Sequence, residues 1–244
     1  MAAIQTANLT KKYKGKPAVK SLNLTIGEGE LFSLLGVNGA GKTTVIKMLS
    51  CLTKPTAGDA LILGNSILSN PISVKERINI SPQETAIAPN LTARENLELI
   101  AGIYGSDKEQ AKQKAGQIIS AFGLSDIAQS KANTLSGGWQ RRLSIAMALI
   151  TEPQILFLDE PTLGLDVLAR RELWQIIERL KGRVTIILTT HYLEEAEALS
   201  DRIGIMAKGK LKAVGTAEEL KAETKTDKFE DAFIAIAGEG GAQK

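Results

Sequence analysis

The sequence predicts an α/β fold with a mainly parallel sheet, and three patterns carry that reading. Strand-like and helix-like segments alternate toward both ends of the chain. A glycine-rich stretch joins an apolar strand to a helix. The middle, from about 91 to 150, turns wholly helical. Together they describe one domain over 1–244, with an N-terminal antiparallel β part and an α-helical subdomain inserted in the core.

In chain order, Leu22, Leu24 and Ile26 alternate with Asn23 and Thr25, the pattern of a half-buried strand. Residues 27–30 read as a turn. The apolar run from Leu31 to Leu35 reads as a strand ending at Gly36, with a helix from about Lys42 to Leu49. Thr92 with Glu95, and Ser106 with Glu109, have capping-box spacing. Behind the first box, Leu97, Ile100, Ala101 and Tyr104 share a helix face. Behind the second, Ala111, Ala115, Ile118, Ile119 and Phe122 do. A third helix carries Leu143, Ala146, Met147 and Ile150. Residues 155–158 then read as a buried strand, 167–180 as a helix, 184–190 as a β-branched strand and 194–199 as a helix. Residues 203–214 read as a hairpin turning at Lys208-Gly209-Lys210, and 238–244 as an unstructured tail.

Apolar residues make up 43% and charged residues 23% of the 244, a globular balance. The net charge of +3, with both signs interspersed, gives no warrant for a nucleic-acid surface. Cys51 is the only cysteine, which excludes an intrachain disulfide and suggests a reducing compartment. Residues 1–13 are polar and unlike a signal peptide. Nowhere do about 18 apolar residues run together, so a role in transport requires another chain to supply the channel.

Three motifs carry chemistry. Residues 36–43, GVNGAGKT, match the P-loop pattern. Its glycines let successive N–H groups turn toward phosphate, and the following helix points its positive end at the same anion. Gly36, Asn38, Gly39, Ala40, Gly41, Lys42, Thr43 and Thr44 are the nucleotide candidates. Lys42 reaches the β- and γ-phosphates and Thr43 ligates Mg²⁺. A chance match in a chain this long is on the order of one per cent. Residues 155–160, ILFLDE, end a buried strand on two carboxylates. Alone they read as an ordinary strand with a charged end. Beside a P-loop, Asp159 suits the Mg²⁺ shell and Glu160 the attacking water. Residues 135–140, LSGGWQ, place Ser136, Gly137 and Gly138 at a helix start. That is a plain serine N-cap or a second anion-binding end.

These three motifs, in this order, resemble the ATP-binding cassette family over nearly the whole chain, with residues 135–138 similar to its signature motif. The resemblance implies a RecA-like P-loop NTPase core, ATP and Mg²⁺ as ligands, and ATP hydrolysis. It also places Tyr13 as the aromatic residue that stacks on adenine, Gln83 on Mg²⁺ and water, and Asp166 in the loop that crosses a dimer interface. His191 resembles the switch histidine. Taken singly, each has a plainer alternative: Tyr13 as a surface residue, Gln83 as a loop residue, Asp166 as a helix cap and His191 as a structural histidine.

Trp139 departs from the family, which commonly has glutamine there. The run LSGGWQRRL over 135–143, with residues 190–197 and 228–233, resembles exporters of the drug- or sodium-efflux kind. The resemblance further implies a second ATPase subunit, a head-to-tail homodimer in which Ser136 closes over the other copy's ATP. It implies a separate transmembrane permease, and a peripheral place on the cytoplasmic face of the membrane. The alternatives are a soluble ATPase of the same fold acting on ribosomes or DNA, or a nucleotide-binding regulator without turnover. Relatives of the former resemble tandem cassettes or carry long coiled coils, and this chain has one P-loop and no long heptad run. A regulator needs none of Glu160, Gln83 and His191.

Overall fold

The chain opens with two long strands, β1 (Ala2–Tyr13) and β2 (Lys16–Gly27), then β3 (Leu31–Leu35) and α1 (Lys42–Leu49). Strands β4 (Ala57–Ile62) and β5 (Asn65–Ser66) lead to α2 (Pro71–Lys75) and β6 (Ile78–Ser81). The helical middle holds α3 (Ala93–Ile103), α4 (Lys108–Ala121) and α5 (Gly137–Leu149). The chain then alternates through β7 (Ile155–Asp159), α6 (Val167–Glu178), β8 (Thr185–Thr190) and α7 (Leu193–Leu199). It ends in the hairpin β9 (Arg202–Ala207) and β10 (Lys210–Gly215), with α8 (Ala217–Thr224) and α9 (Phe229–Gly238). This computed structural model describes residues 1–238.

Two sheets form. One is antiparallel, in the order β2-β1-β4-β5. The other has the order β10-β9-β3-β8-β7-β6, parallel from β9 to β6 with β10 antiparallel at one edge. The middle strands β3, β7 and β8 are buried at every position because both faces of the sheet are covered. On one face the antiparallel sheet and α1 close a core around Leu22, Leu24, Ile26, Ile46, Phe32 and Phe157. On the other, α3 to α6 pack over Leu156, Leu158, Ile186 and Leu188. Fully burying each Phe stabilises by about 1.5–3 kcal/mol. A third cluster joins α7, α8 and α9 to Leu35, Ile203 and Ile205.

The α/β class and the alternating burial of Leu22, Leu24 and Ile26 match the sequence reading. Some details differ. The second capping box is built by Asp107 with Gln110, one residue later than Ser106 with Glu109. Tyr104 follows the last turn of α3 and is 56% exposed. The buried place on that helix goes to Asn96, whose amide bonds Ala88 N–H at 2.7 Å and the Thr92 carbonyl at 2.9 Å. A polar side chain with its bonds satisfied can enter a core. Helix α5 buries most of its circumference, not one stripe. Gly238 is the last residue of α9, and the rest of the expected tail lies outside the described residues.

Candidate active site

Strand register brings the site together. Leu35 pairs with Thr190, and Asp159 with Thr189. The residues just past these pairs, Gly36, His191 and Glu160, therefore meet at the carboxyl edge of the parallel sheet, where ligands bind in such folds. Gln83 lies just beyond the end of β6. A cavity of about 390 Å³ is lined there by residues 38–44, Gln83, Glu160 and His191, with Ala18 and Leu163. A wider cavity of about 720 Å³ lies at the opposite edge, around Arg77, Gln154 and Arg183. Volume does not decide between them. The smaller cavity holds the convergent donors and carboxylates, so it is the candidate site.

The loop before α1 is shaped to receive an anion. Gly41 has φ 109°, and a Cβ there would lie 2.5 Å from the Ala18 carbonyl oxygen, so a side chain is excluded twice over. No side chain caps α1. The first-turn N–H groups of Lys42, Thr43 and Thr44 therefore have no acceptor within the helix. These are the donors that a phosphate needs.

Lys42 is 5% exposed and reaches back over the loop. Its Nζ donates to the Gly36 carbonyl at 2.6 Å and stands 3.1 Å from Glu160 Oε1. The other carboxylate oxygen, Oε2, is 2.7 Å from His191 Nδ1. Glu160 is held in the left-handed region, φ 49°, by its N–H bonds to the Thr189 carbonyl and hydroxyl, each 3.1 Å. Strain of this kind persists only where neighbours over-determine it, and it gathers at functional sites.

Asp159 Oδ1 accepts from Thr43 Oγ1 at 3.1 Å and from Thr189 Oγ1 at 2.5 Å. A hydroxyl and a carboxylate side by side are hard oxygen ligands. They fit Mg²⁺, which is commonly held by one or two protein oxygens together with substrate phosphates. Gln83 is exposed at the rim, and its backbone carbonyl accepts from Arg141. Arg141 also donates to the Pro82 carbonyl at 2.6 Å. Burial pulls the Arg141 guanidinium below its usual range, and the Asp159 carboxylate works the other way.

Several candidates lie apart from this cavity. Tyr13 ends β1 and is 47% exposed, with Lys11 Nζ 5.1 Å from its ring centre. Ala18, not Tyr13, lines the cavity from the hairpin. Asp166 caps α6, accepting from Ala169 N–H at 2.9 Å. Ser136 occupies the N-cap of α5, exposed, and its side chain makes no capping bond. Trp139 lies half-buried under the Arg142 guanidinium, 4.4 Å from ring centre to Cζ, and Arg142 pairs with Glu172 at 2.6 Å. Sequence reasoning missed Arg141 and Thr189. The basic residue at a buried position of α5 was the available signal for the first. Thr189 carried none, since a strand threonine is ordinary.

Residues 19–163 match the ABC transporter family, which spans more than half of the chain. The chain belongs to the ABC transporter family. Among its curated relatives, the daunorubicin resistance ATP-binding protein DrrA3 of Streptomyces coeruleorubidus is 41% identical, over 98% of this chain and 76% of its own. The probable multidrug ABC transporter ATP-binding protein YbhF of Escherichia coli is 40% identical over 96% of this chain and 41% of its own. A solved ATP-binding subunit of an ABC transporter superposes with TM-score 0.84 at 26% identity, covering 96% of this chain and 99% of that one. The dimeric ATP-binding cassette MJ0796, in a post-hydrolysis state with ADP and Pi, gives 0.80 at 30% identity, covering 87% and 98%. As an ABC protein, the chain is the ATP-binding and ATP-hydrolysing subunit of a transporter.

Proposed function

We propose that two copies of this chain close head to tail on two molecules of Mg-ATP and drive export through a separate transmembrane permease. Ser136 carries this reading. Within one chain, Ser136 and the first turn of α5 do not line the P-loop cavity, and the serine hydroxyl is not spent on its own helix. A second copy facing the first would let Ser136, Gly137 and Gly138 donate to the γ-phosphate, with Asp166 at the seam. The drug-resistance and multidrug names of its relatives support export. No described helix is long and apolar enough to cross a membrane. In this reading the permease is another chain, and this subunit works on its cytoplasmic face.

In each site the first-turn N–H groups of α1 and Lys42 hold the triphosphate, and Tyr13 stacks on the base. Thr43, Asp159 and Gln83 would hold Mg²⁺, which would supply charge neutralisation at the phosphates. Glu160 takes the proton of the attacking water, and His191 holds that carboxylate in place. Binding energy closes the pair, and hydrolysis reopens it. The test is light scattering on Glu160→Gln, with and without ATP. ATP should shift this variant from monomer to dimer, and adding Ser136→Arg should reverse the shift. A dimer indifferent to Ser136→Arg would overturn the role of α5.

A further inference from the structure

Glu195, in the first turn of α7, is sealed from solvent at 0% exposure. Its Oε1 accepts from Trp174 Nε1 of α6 at 2.9 Å. Its Oε2 is buried without a hydrogen-bond partner, and so is Thr162 Oγ1. The hydroxyls of Thr162 and Thr190 both face this carboxyl. That of Thr162 falls short of full hydrogen-bond geometry. Thr190 Oγ1 accepts from Tyr192 N–H at 3.0 Å, which leaves its own proton for Glu195.

These contacts surround the Glu160–His191 bond. Thr162 lies two residues after Glu160, and Thr190 immediately precedes His191. The Thr190 carbonyl also accepts from Gly36 N–H at 3.3 Å, so the same strand end touches the P-loop. Trp174 stands on the helix that Asp166 caps. One side chain thus reaches three segments that share the site. Burial raises the Glu195 carboxyl above its usual range, the Thr190 and Thr162 hydroxyls and the Trp174 indole work against it, and the nearby Glu160 carboxylate adds to the rise. Glu195 Oε2 and Thr162 Oγ1 are therefore two buried polar atoms left open on neighbouring side chains.

We propose that Glu195 is a positioning residue for ATP hydrolysis: its side chain ties the turn that carries Glu160 to the strand end that carries His191, and holds both against α6. The inference rests on Glu160 being the base. Glu160 holds a left-handed backbone, and a strained residue keeps its place only while its surroundings enforce it. Glutamine keeps an acceptor for Trp174 Nε1 and supplies a donor for Thr162 Oγ1. Leucine fills the volume and makes neither bond.

The experiment compares turnover, ATP KM and thermal midpoint for Glu195→Leu, Glu195→Gln and Glu160→Gln in the purified chain. Glu195→Leu should lower kcat about 10- to 100-fold, the cost of a small misplacement, at unchanged KM and with an unchanged or higher midpoint. Glu195→Gln should restore most of that loss. Wild-type turnover in Glu195→Leu overturns the role, as does a Gln variant as slow as Leu. A fall in kcat matched by lost ATP affinity or lost folded protein marks a merely structural residue and also overturns it. If Glu160→Gln is slow while Glu195→Leu is fast, only the positioning role falls. If Glu160→Gln turns over normally, the assignment of the base has failed instead.

Discussion

His191 Nδ1 and Glu160 Oε2 stand 2.7 Å apart, and Lys42 Nζ takes the other oxygen of the same carboxylate at 3.1 Å. Glu160 is therefore fixed from two sides at the mouth of the cavity. Its position comes from β7 and that of His191 from β8, which are hydrogen-bonded neighbours.

The first prediction follows from that contact. Glu160→Gln should bind ATP and hydrolyse it about 10²–10⁴ times more slowly, because glutamine keeps the shape but takes no proton. His191→Ala should also be slow, since the carboxylate loses one of its two holds. Phosphate release at saturating ATP measures both. Unchanged release in Glu160→Gln would remove it as the base.

Lys42→Ala should cut turnover by about 10²–10³, the usual effect of deleting one charge-stabilising group. Its Nζ is buried between the Gly36 carbonyl and Glu160, so the variant should also shift the thermal midpoint. Calorimetry beside the ATPase assay separates the two effects. Normal turnover would refute the P-loop assignment.

Tyr13→Phe should bind ATP like the wild type, and Tyr13→Ala should lose roughly 1–3 kcal/mol, the scale of base–aromatic stacking. The ring is 47% exposed and outside the cavity lining, so it is free to meet a base that projects from the loop. Equal affinity in all three forms, by titration, would take Tyr13 out of the site.

Glu195 makes stability depend on pH. Its carboxyl is raised in the folded protein above the ordinary 4.5. The folded state therefore holds a proton that the unfolded chain releases. The associated stability is present below 4.5 and is lost as pH rises toward the folded value. Glu195→Gln has no such loss. Its advantage over the wild type should grow with pH above 4.5, by up to about 1.4 kcal/mol per pH unit. Denaturant melts across that range measure it, and a constant difference would show that the carboxyl is not raised.

Much of this was legible in the sequence because the informative segments obey a single rule. Strands buried on both faces are nearly continuous apolar runs, so β3 and β7 announce themselves, and the motifs at their ends name the chemistry. Strands β4 and β6 are short and mixed, as in AGDALI and INIS, and only pairing with neighbours makes them strands. The buried polar groups were illegible for a related reason. Asn96, Arg141 and Glu195 sit where a helix period asks for an apolar residue or for solvent. What admits them is a set of partners distant in the chain, which no local pattern encodes.

The residues proposed to meet the nucleotide stand mostly past the ends of β3, β7 and β8, in the middle of the sheet. No small lobe can open there without parting those strands. Occupancy of the cavity is therefore linked by mass action to the unfolding of the whole central sheet. At a hundredfold excess over Kd, ATP should add about 2.7 kcal/mol to global stability. It should appear as an upward shift of the main thermal transition, so a melting curve doubles as a binding assay for cargo-independent variants.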